Sequence, residues 1–400
     1  MGGNKIKPAF RTLQVEYAIR DIVEASQEAK KRGKDLIYLN IGDPVKYGFK
    51  TPESIIKEVC KALEKNCNSY SESSGIPEAI RAIEAYAIKK GIKPVDIYVT
   101  QGASEAIEFA ISALVNSEEN ILLPCPCYPL YQAIVSKFRI EPRYYLLEES
   151  KNWEPDVDSI EPLIDKKTRA IVIINPNNPT GAIYSKKTLE KIVEIAKKYN
   201  LVILSDEIYD QYILEDNLKH ISVASLSDEI PVITFNGLSK NYFAPGFRIG
   251  WGIISGPKDL LEDYIDAIHK LARTRLCASH PLQYAIPVAL NNENHYIKKV
   301  ISELKKRRDI LVEGLNQIPF ISCVKPSGAF YAFPSIKIPH LDDLEFTKRL
   351  ILEEGVVVVH GSGFGQKPGT KHFRIIFLPE EEILKKALER IERFVKRLIS

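Results

Sequence analysis

Between Asp96 and Trp251, apolar runs of strand length alternate with amphipathic stretches of helix length. Asp96–Thr100 predicts a strand and Ser104–Val115 a helix, and Asn120–Leu123 predicts a second strand. Ala170–Ile174 reads as a buried strand and Ser185–Tyr199 as a charged amphipathic helix. Leu201–Ser205, Val232–Asn236 and Arg248–Ile254 follow as further strands. Strands joined through helices run parallel, and the crossover helices cover both sheet faces. The expectation is an α/β fold with a mostly parallel central sheet and helices on both faces.

Beyond about Asn291 the pattern changes. A long charged helix near Tyr296–Asn316 leads into short strands around Ile321–Val324 and Ala329–Phe333. A helix and a strand ending at Val356–Val359 follow, then a strand at His372–Phe377 and a final helix. In that helix Leu384, Leu388, Ile391, Val395 and Leu398 form one stripe, expected to cover a sheet face. The expected division is a large α/β domain over residues 51–290 and a smaller α+β domain built from 1–50 and 291–400. Two or three domains are ordinary for 400 residues.

Charge and composition exclude several classes. Lys and Arg number 55 against 52 Asp and Glu, and a net charge of +3 gives no reason to invoke nucleic acid or an anionic membrane. The opening Met1–Lys7 leads into no apolar core of signal-peptide length, and no apolar run approaches the ~20 residues of a membrane span. Cys125 and Cys127 flank a proline, but no second Cys or His pair stands at metal-ligand spacing. The six cysteines are therefore expected to be reduced thiols of a cytoplasmic protein without a metal. Met1 is the only methionine, and Ile, Lys and Glu abound, which leans toward a thermophilic source.

In open α/β sheets, ligands sit beyond the carboxyl ends of the strands. Asn178-Pro179-Thr180-Gly181 follows one predicted strand, Asp206 and Tyr209 another, and Ser239 and Lys240 a third. Gly102-Ala103-Ser104 follows Asp96–Thr100 and opens a helix. Singly, each has an ordinary reading: a cap for Asp206, a surface amine for Lys240, a turn for Asn178–Gly181, an N-cap for Ser104, an ion pair for Arg248.

Their order is more specific. Asn175–Gly181 (NPNNPTG), Ser205–Tyr209 (SDEIY), Gly237–Lys240 (GLSK), Gly246–Gly250 (GFRIG) and a late Phe373-Arg374 occur in succession. From about Tyr17 to the last helix, the chain resembles the class I/II branch of the aspartate aminotransferase superfamily, the fold type I enzymes that use pyridoxal 5′-phosphate. The resemblance implies that Lys240 joins the cofactor's aldehyde as a Schiff base and then moves a proton between the substrate Cα and the cofactor. It implies that Asp206 keeps the ring nitrogen protonated, and that Tyr209 and Asn178 donate to the ring's phenolic oxygen. Ala103 and Ser104 at a helix N-terminus, with Ser239 and Arg248, look like the phosphate ligands. Tyr128 resembles the aromatic ring against the cofactor's face. Tyr70 resembles a phosphate ligand contributed by the neighbouring subunit, which implies a homodimer with shared active sites. Arg374 looks like the fork that grips the substrate α-carboxylate, and Gly42 the glycine beside it.

Arg275–Cys277, Pro124–Pro129, His360–Gly365 and Tyr17–Arg20 are together similar to alanine aminotransferases, particularly the archaeal ones. That implies L-alanine plus 2-oxoglutarate giving pyruvate plus L-glutamate. Aspartate transamination or a broader specificity stays open, because one distal arginine serves glutamate and aspartate alike. Arg275 falls near such a position and reads equally as a helix-end ion pair, with Arg20 and Arg273 as the next candidates. Elimination and decarboxylation run on the same scaffold. A non-catalytic binding protein is a further reading, opposed by the presence of Lys240, Asp206 and Arg374. Gly361–Gly365 lacks the third glycine of a dinucleotide fingerprint, since position 366 is Gln. It is expected to be a loop at the site's mouth, with His360 structural. The charged run Glu303–Asp309 is expected to be a solvated helix face.

Overall fold

The computed structural model describes residues 6–13, 19–291 and 295–399. Tyr17 and Ala18 lie outside the described residues, and so does the side chain of Arg20. The large sheet has strands β1 (Pro94–Thr100), β2 (Asn120–Cys125), β3 (Glu141–Glu148), β4 (Glu154–Pro155), β5 (Thr168–Ile174), β6 (Val202–Asp206), β7 (Val232–Gly237) and β8 (Gly250–Ser255). Their spatial order is β1-β8-β7-β6-β5-β2-β3-β4. The central strands β7, β6, β5, β2 and β3 are mutually parallel. β8 runs antiparallel to both β1 and β7, and β4 antiparallel to β3.

Alternate residues of the inner strands feed two separate cores. Ile171, Ile173 and Ile203 pack to one side, and Ala170, Val172 and Leu204 to the other. That double burial explains why these strands read as continuous apolar runs. β3 escaped the reading because its charged and aromatic sequence, EPRYYLLE, carries no such run. From β2 the chain steps outward to β3, whereas from β5 it steps the other way through β6 to β7. The reversal leaves a crevice at the carboxyl edge between β2 and β5, where ligands bind in open α/β sheets.

The N-terminal segment joins the C-terminal region: Ile37–Tyr38 pairs in parallel with Val356–Val357. Tyr331–Ala332 and Val359–His360 flank Phe373–Ile376 in a small antiparallel sheet. The last helix, Glu381–Ile399, rests mainly on the long helix His295–Gln317 and on Asp343–Glu354, not on a sheet face as its stripe predicts. Gly314 makes this close approach possible, because Leu388 occupies the space where a Cβ would stand. The run Glu303–Asp309 is also not simply solvated. Arg308 is 2% exposed and reaches Glu215 (2.6 Å), Asp309 (2.9 Å) and the Pro326 carbonyl (2.9 Å). It is buried because Glu215 and the Pro326 carbonyl, from other segments, and its neighbour Asp309 take its donors. All six cysteines are free thiols. Among the described residues, no helix is long and apolar enough to cross a membrane, and no cluster of His, Cys, Asp and Glu could hold a metal.

Candidate active site

Parallel pairing brings the ends of β5, β6 and β7 to one edge. The register sets Ile174 opposite Asp206 and Asp206 opposite Phe235, so Asp206 sits mid-sheet at that edge. Because β8 is antiparallel to its neighbours, its beginning and the end of β1 also meet there, which brings Arg248 beside Gly102. Gly102 has φ 78°, and a Cβ on it would run into the Arg248 guanidinium. The helix Ala103–Leu114 can therefore start directly beneath that cation. Its first N–H groups have no acceptors within the helix and point with the positive end of the helix dipole.

These ends open into a cavity of about 350 Å3. Gly42, Ala103, Ser104, Tyr128, Asn178, Asp206, Tyr209, Ser239, Lys240, Arg248 and Arg374 all line it. Of the described candidates, Tyr70, Arg275 and Arg273 do not line it. Tyr70 is 77% exposed. Arg275 lies outside the cavity, with its guanidinium on Glu105 (3.0 Å) and on the Ser73 (3.1 Å) and Val99 (2.7 Å) carbonyls.

The two central ionisable groups are displaced in opposite directions. Burial of its amine pulls Lys240 down to about 8, with Arg374 and Arg248 adding to the effect and Asp43 opposing it. Its Nζ donates to the Gly42 carbonyl at 2.6 Å. Burial raises Asp206 to about 6, opposed by hydrogen bonds from the Ile208 N–H (3.3 Å) and the Tyr131 hydroxyl (3.2 Å). A buried carboxylate with a raised pKa is complementary to a ligand cation, and an amine near 8 can be deprotonated at modest cost.

Arg374 forms the far wall. It donates to Asn178 Oδ1 (3.1 Å) and the Asn40 carbonyl (2.7 Å), between the rings of Tyr331 and Phe364, each 4.7 Å from its Cζ. Its Nε is buried and donates to no protein acceptor, which leaves one edge of the fork for a carboxylate. The sequence reading did not single out Tyr131 or Tyr331. Both stand inside apolar stretches, where a tyrosine reads as core. Phe364 lies in the glycine-rich loop already expected at the mouth, and His360 packs beneath that loop, accepting from the Gly363 N–H.

Known proteins carry the same arrangement of segments. The family described as aminotransferase class I and II matches residues 34–391. The glutamate-pyruvate aminotransferase AlaA of Escherichia coli (strain K12) is 40% identical over 399 residues, 98% of each chain. The alanine aminotransferase of Mycobacterium tuberculosis (strain H37Rv) is 40% identical, over 95% of this chain and 90% of that one. Among solved structures, the alanine aminotransferase from Pyrococcus furiosus superposes with a TM-score of 0.95 at 44% identity, covering 98% of this chain and 100% of that one. A family match over residues 34–391, with relatives aligned almost end to end, assigns the fold: this chain belongs to the class I and II aminotransferases.

Proposed function

We propose that this aminotransferase works with pyridoxal 5′-phosphate and exchanges the amino group of L-alanine with 2-oxoglutarate, yielding pyruvate and L-glutamate. The carrying observation is the pairing of Lys240 and Asp206, shifted in opposite directions, in one cavity with Arg374. When bound, the cofactor supplies an aldehyde that condenses with amines and a ring that accepts the electron pair left at Cα. Arg248, Ser239 and the N–H groups of Ala103 and Ser104 would hold its phosphate, and Tyr128 would lie against its face. Asp206 would keep a proton on the ring nitrogen, and a cation there returns the carboxylate toward its ordinary pKa. Asn178 and Tyr209 would donate to the phenolic oxygen.

The chain's own groups then divide the work. Arg374 fixes the substrate by its α-carboxylate, which alanine and glutamate share. Lys240, released from the Gly42 carbonyl and neutral above about pH 8, takes the Cα proton and delivers it on the other side of the transfer. Phe364 and Tyr331 cover Arg374 and exclude water from the carboxylate contact.

The alanine assignment is supported by the names of the full-length relatives. A homodimer is supported by Tyr70, a large exposed aromatic on a segment whose Ser69 and Ser73 carbonyls are held by His280 and Arg275. The six free thiols support a cytoplasmic setting. The deciding experiment is a donor panel of alanine, aspartate, aromatic and branched amino acids against 2-oxoglutarate. Alanine should give the highest kcat/KM. A higher value for aspartate would overturn the substrate assignment and leave the reaction class standing.

A further inference from the structure

Tyr331 is 2% exposed and touches three segments of the site at once. Its hydroxyl lies 2.9 Å from the Tyr209 hydroxyl. Its ring lies 4.7 Å from the Arg374 guanidinium carbon. Its phenol tip packs on Gly42, where any Cβ would collide with it. Gly42 in turn carries the carbonyl that holds Lys240. The strand that presents Tyr331 is paired with the strand that presents Arg374, so the two side chains are fixed by one backbone register.

We propose that Tyr331 is a positioning residue that donates its hydroxyl proton to Tyr209 and so directs the Tyr209 proton at the ligand's phenolic oxygen. This rests on the reading of Tyr209 as a donor to that oxygen. A phenol has one proton, so in a tyrosine pair only one hydroxyl donates. Tyr209 can give its proton to a ligand only if Tyr331 supplies the proton of their shared bond. The arrangement favours that direction, because the Arg374 cation beside the Tyr331 ring makes its hydroxyl the better donor. A hydroxyl that accepts a hydrogen bond also donates more strongly. Groups near Tyr331 besides Tyr209 include the Arg374 cation on the neighbouring strand and the Tyr212 phenol. Both are present in every variant below.

The test is the pH midpoint of the visible absorbance of the pyridoxal phosphate-loaded enzyme, for wild type, Tyr331→Phe, Tyr209→Phe and the double variant. Donors to the phenolic oxygen stabilise its negative charge and lower the midpoint. Tyr331→Phe should raise it by about 0.3–1 pH unit, the equivalent of one net hydrogen bond. The phenyl ring keeps its place on Arg374, so the contact between that ring and the guanidinium is kept. Tyr209→Phe should raise the midpoint at least as far, and the double variant should match Tyr209→Phe alone, because Tyr331 acts through Tyr209. An unchanged midpoint in Tyr331→Phe with a shifted one in Tyr209→Phe overturns the proposal and leaves the reading of Tyr209 intact. So does a shift in the double variant equal to the sum of the two. An unchanged midpoint in Tyr209→Phe overturns both. Loss of one hydroxyl leaves the packing in place, and far-UV circular dichroism verifies that each variant is folded.

Discussion

The Lys240 amine, the group proposed to react, donates to the Gly42 carbonyl at 2.6 Å, which ties the segment after β7 to the N-terminal segment. Lys240→Ala should fold and lose transamination by at least the roughly 100- to 10,000-fold that a placed proton-transfer group contributes. The folded pKa near 8 lies below the ordinary ~10.4, so between these values the unfolded chain binds the extra proton. Stability of the cofactor-free protein therefore rises with pH through that window on account of Lys240, and the rise should be missing in Lys240→Ala. Melting temperature against pH measures this. Borohydride reduction of the loaded wild type, followed by peptide mapping, should place the label on Lys240, and a label on another lysine ends the assignment.

Asp206 has the opposite linkage. Its folded pKa of about 6 exceeds the ordinary ~3.9, so the folded chain keeps a proton that the unfolded chain has lost. Stability of the cofactor-free protein falls as pH rises through that window, by roughly 2–3 kcal/mol once above it. Cofactor-free Asp206→Asn should melt higher than wild type at pH 7, and the difference should vanish below about pH 4. With cofactor, the same variant should retain it yet slow proton abstraction by orders of magnitude in a single turnover. A near-wild-type rate would remove Asp206 from the ring nitrogen.

The parts of the fold legible in the sequence are those buried on both faces. β5, β6 and β7 read as uninterrupted apolar runs, and their ends carried the motifs. β3, near the sheet's edge, mixes charge with aromatics, and β4 has only two residues, so neither left a signal. Gly42, Asn178, Asp206, Tyr209, Lys240, Arg248 and Arg374 were legible through the order of their sequence blocks, which resembles the family's, and not from any one block alone. Tyr331 and Tyr131 were not, since a tyrosine in an apolar stretch is indistinguishable from core until its hydroxyl is seen on Tyr209 or Asp206. The same limit hid the burial of Arg308, whose acceptors, Glu215 and the Pro326 carbonyl, are brought to it only by the fold.

Tyr70 stands exposed on a segment held by His280 and Arg275, and in the proposed homodimer it would reach the partner's cavity. Tyr70→Phe should weaken cofactor retention, by about the tenfold that loss of one hydrogen bond to a charged group gives at its lower end. Mixed dimers of a Tyr70→Phe chain with a Lys240→Ala chain separate the arrangements. If Tyr70 acts on the partner's site, both lesions meet in one site and the other is intact. Two sites impaired separately would show that each chain completes its own.

Arg275 has its donors engaged within its own chain: Glu105 in the first turn of the helix Ala103–Leu114, and the Ser73 and Val99 carbonyls. To bind a substrate's distal carboxylate it would have to leave all three. Arg275→Ala should therefore lower the melting temperature and slow the half-reactions with alanine and with glutamate alike, through the loosened helix start beneath Arg248. If Arg275 instead grips the distal carboxylate, alanine is spared and glutamate loses the ~2–5 kcal/mol of an unpaired buried charge contact. At 1.36 kcal/mol per tenfold, that is a selective loss of roughly 30-fold or more. Pre-steady-state half-reactions with each amino acid read the two outcomes directly. An equal fall assigns Arg275 to the scaffold and turns the same assay to Arg20 and to Arg273, which pairs with Asp266 at 3.5 Å.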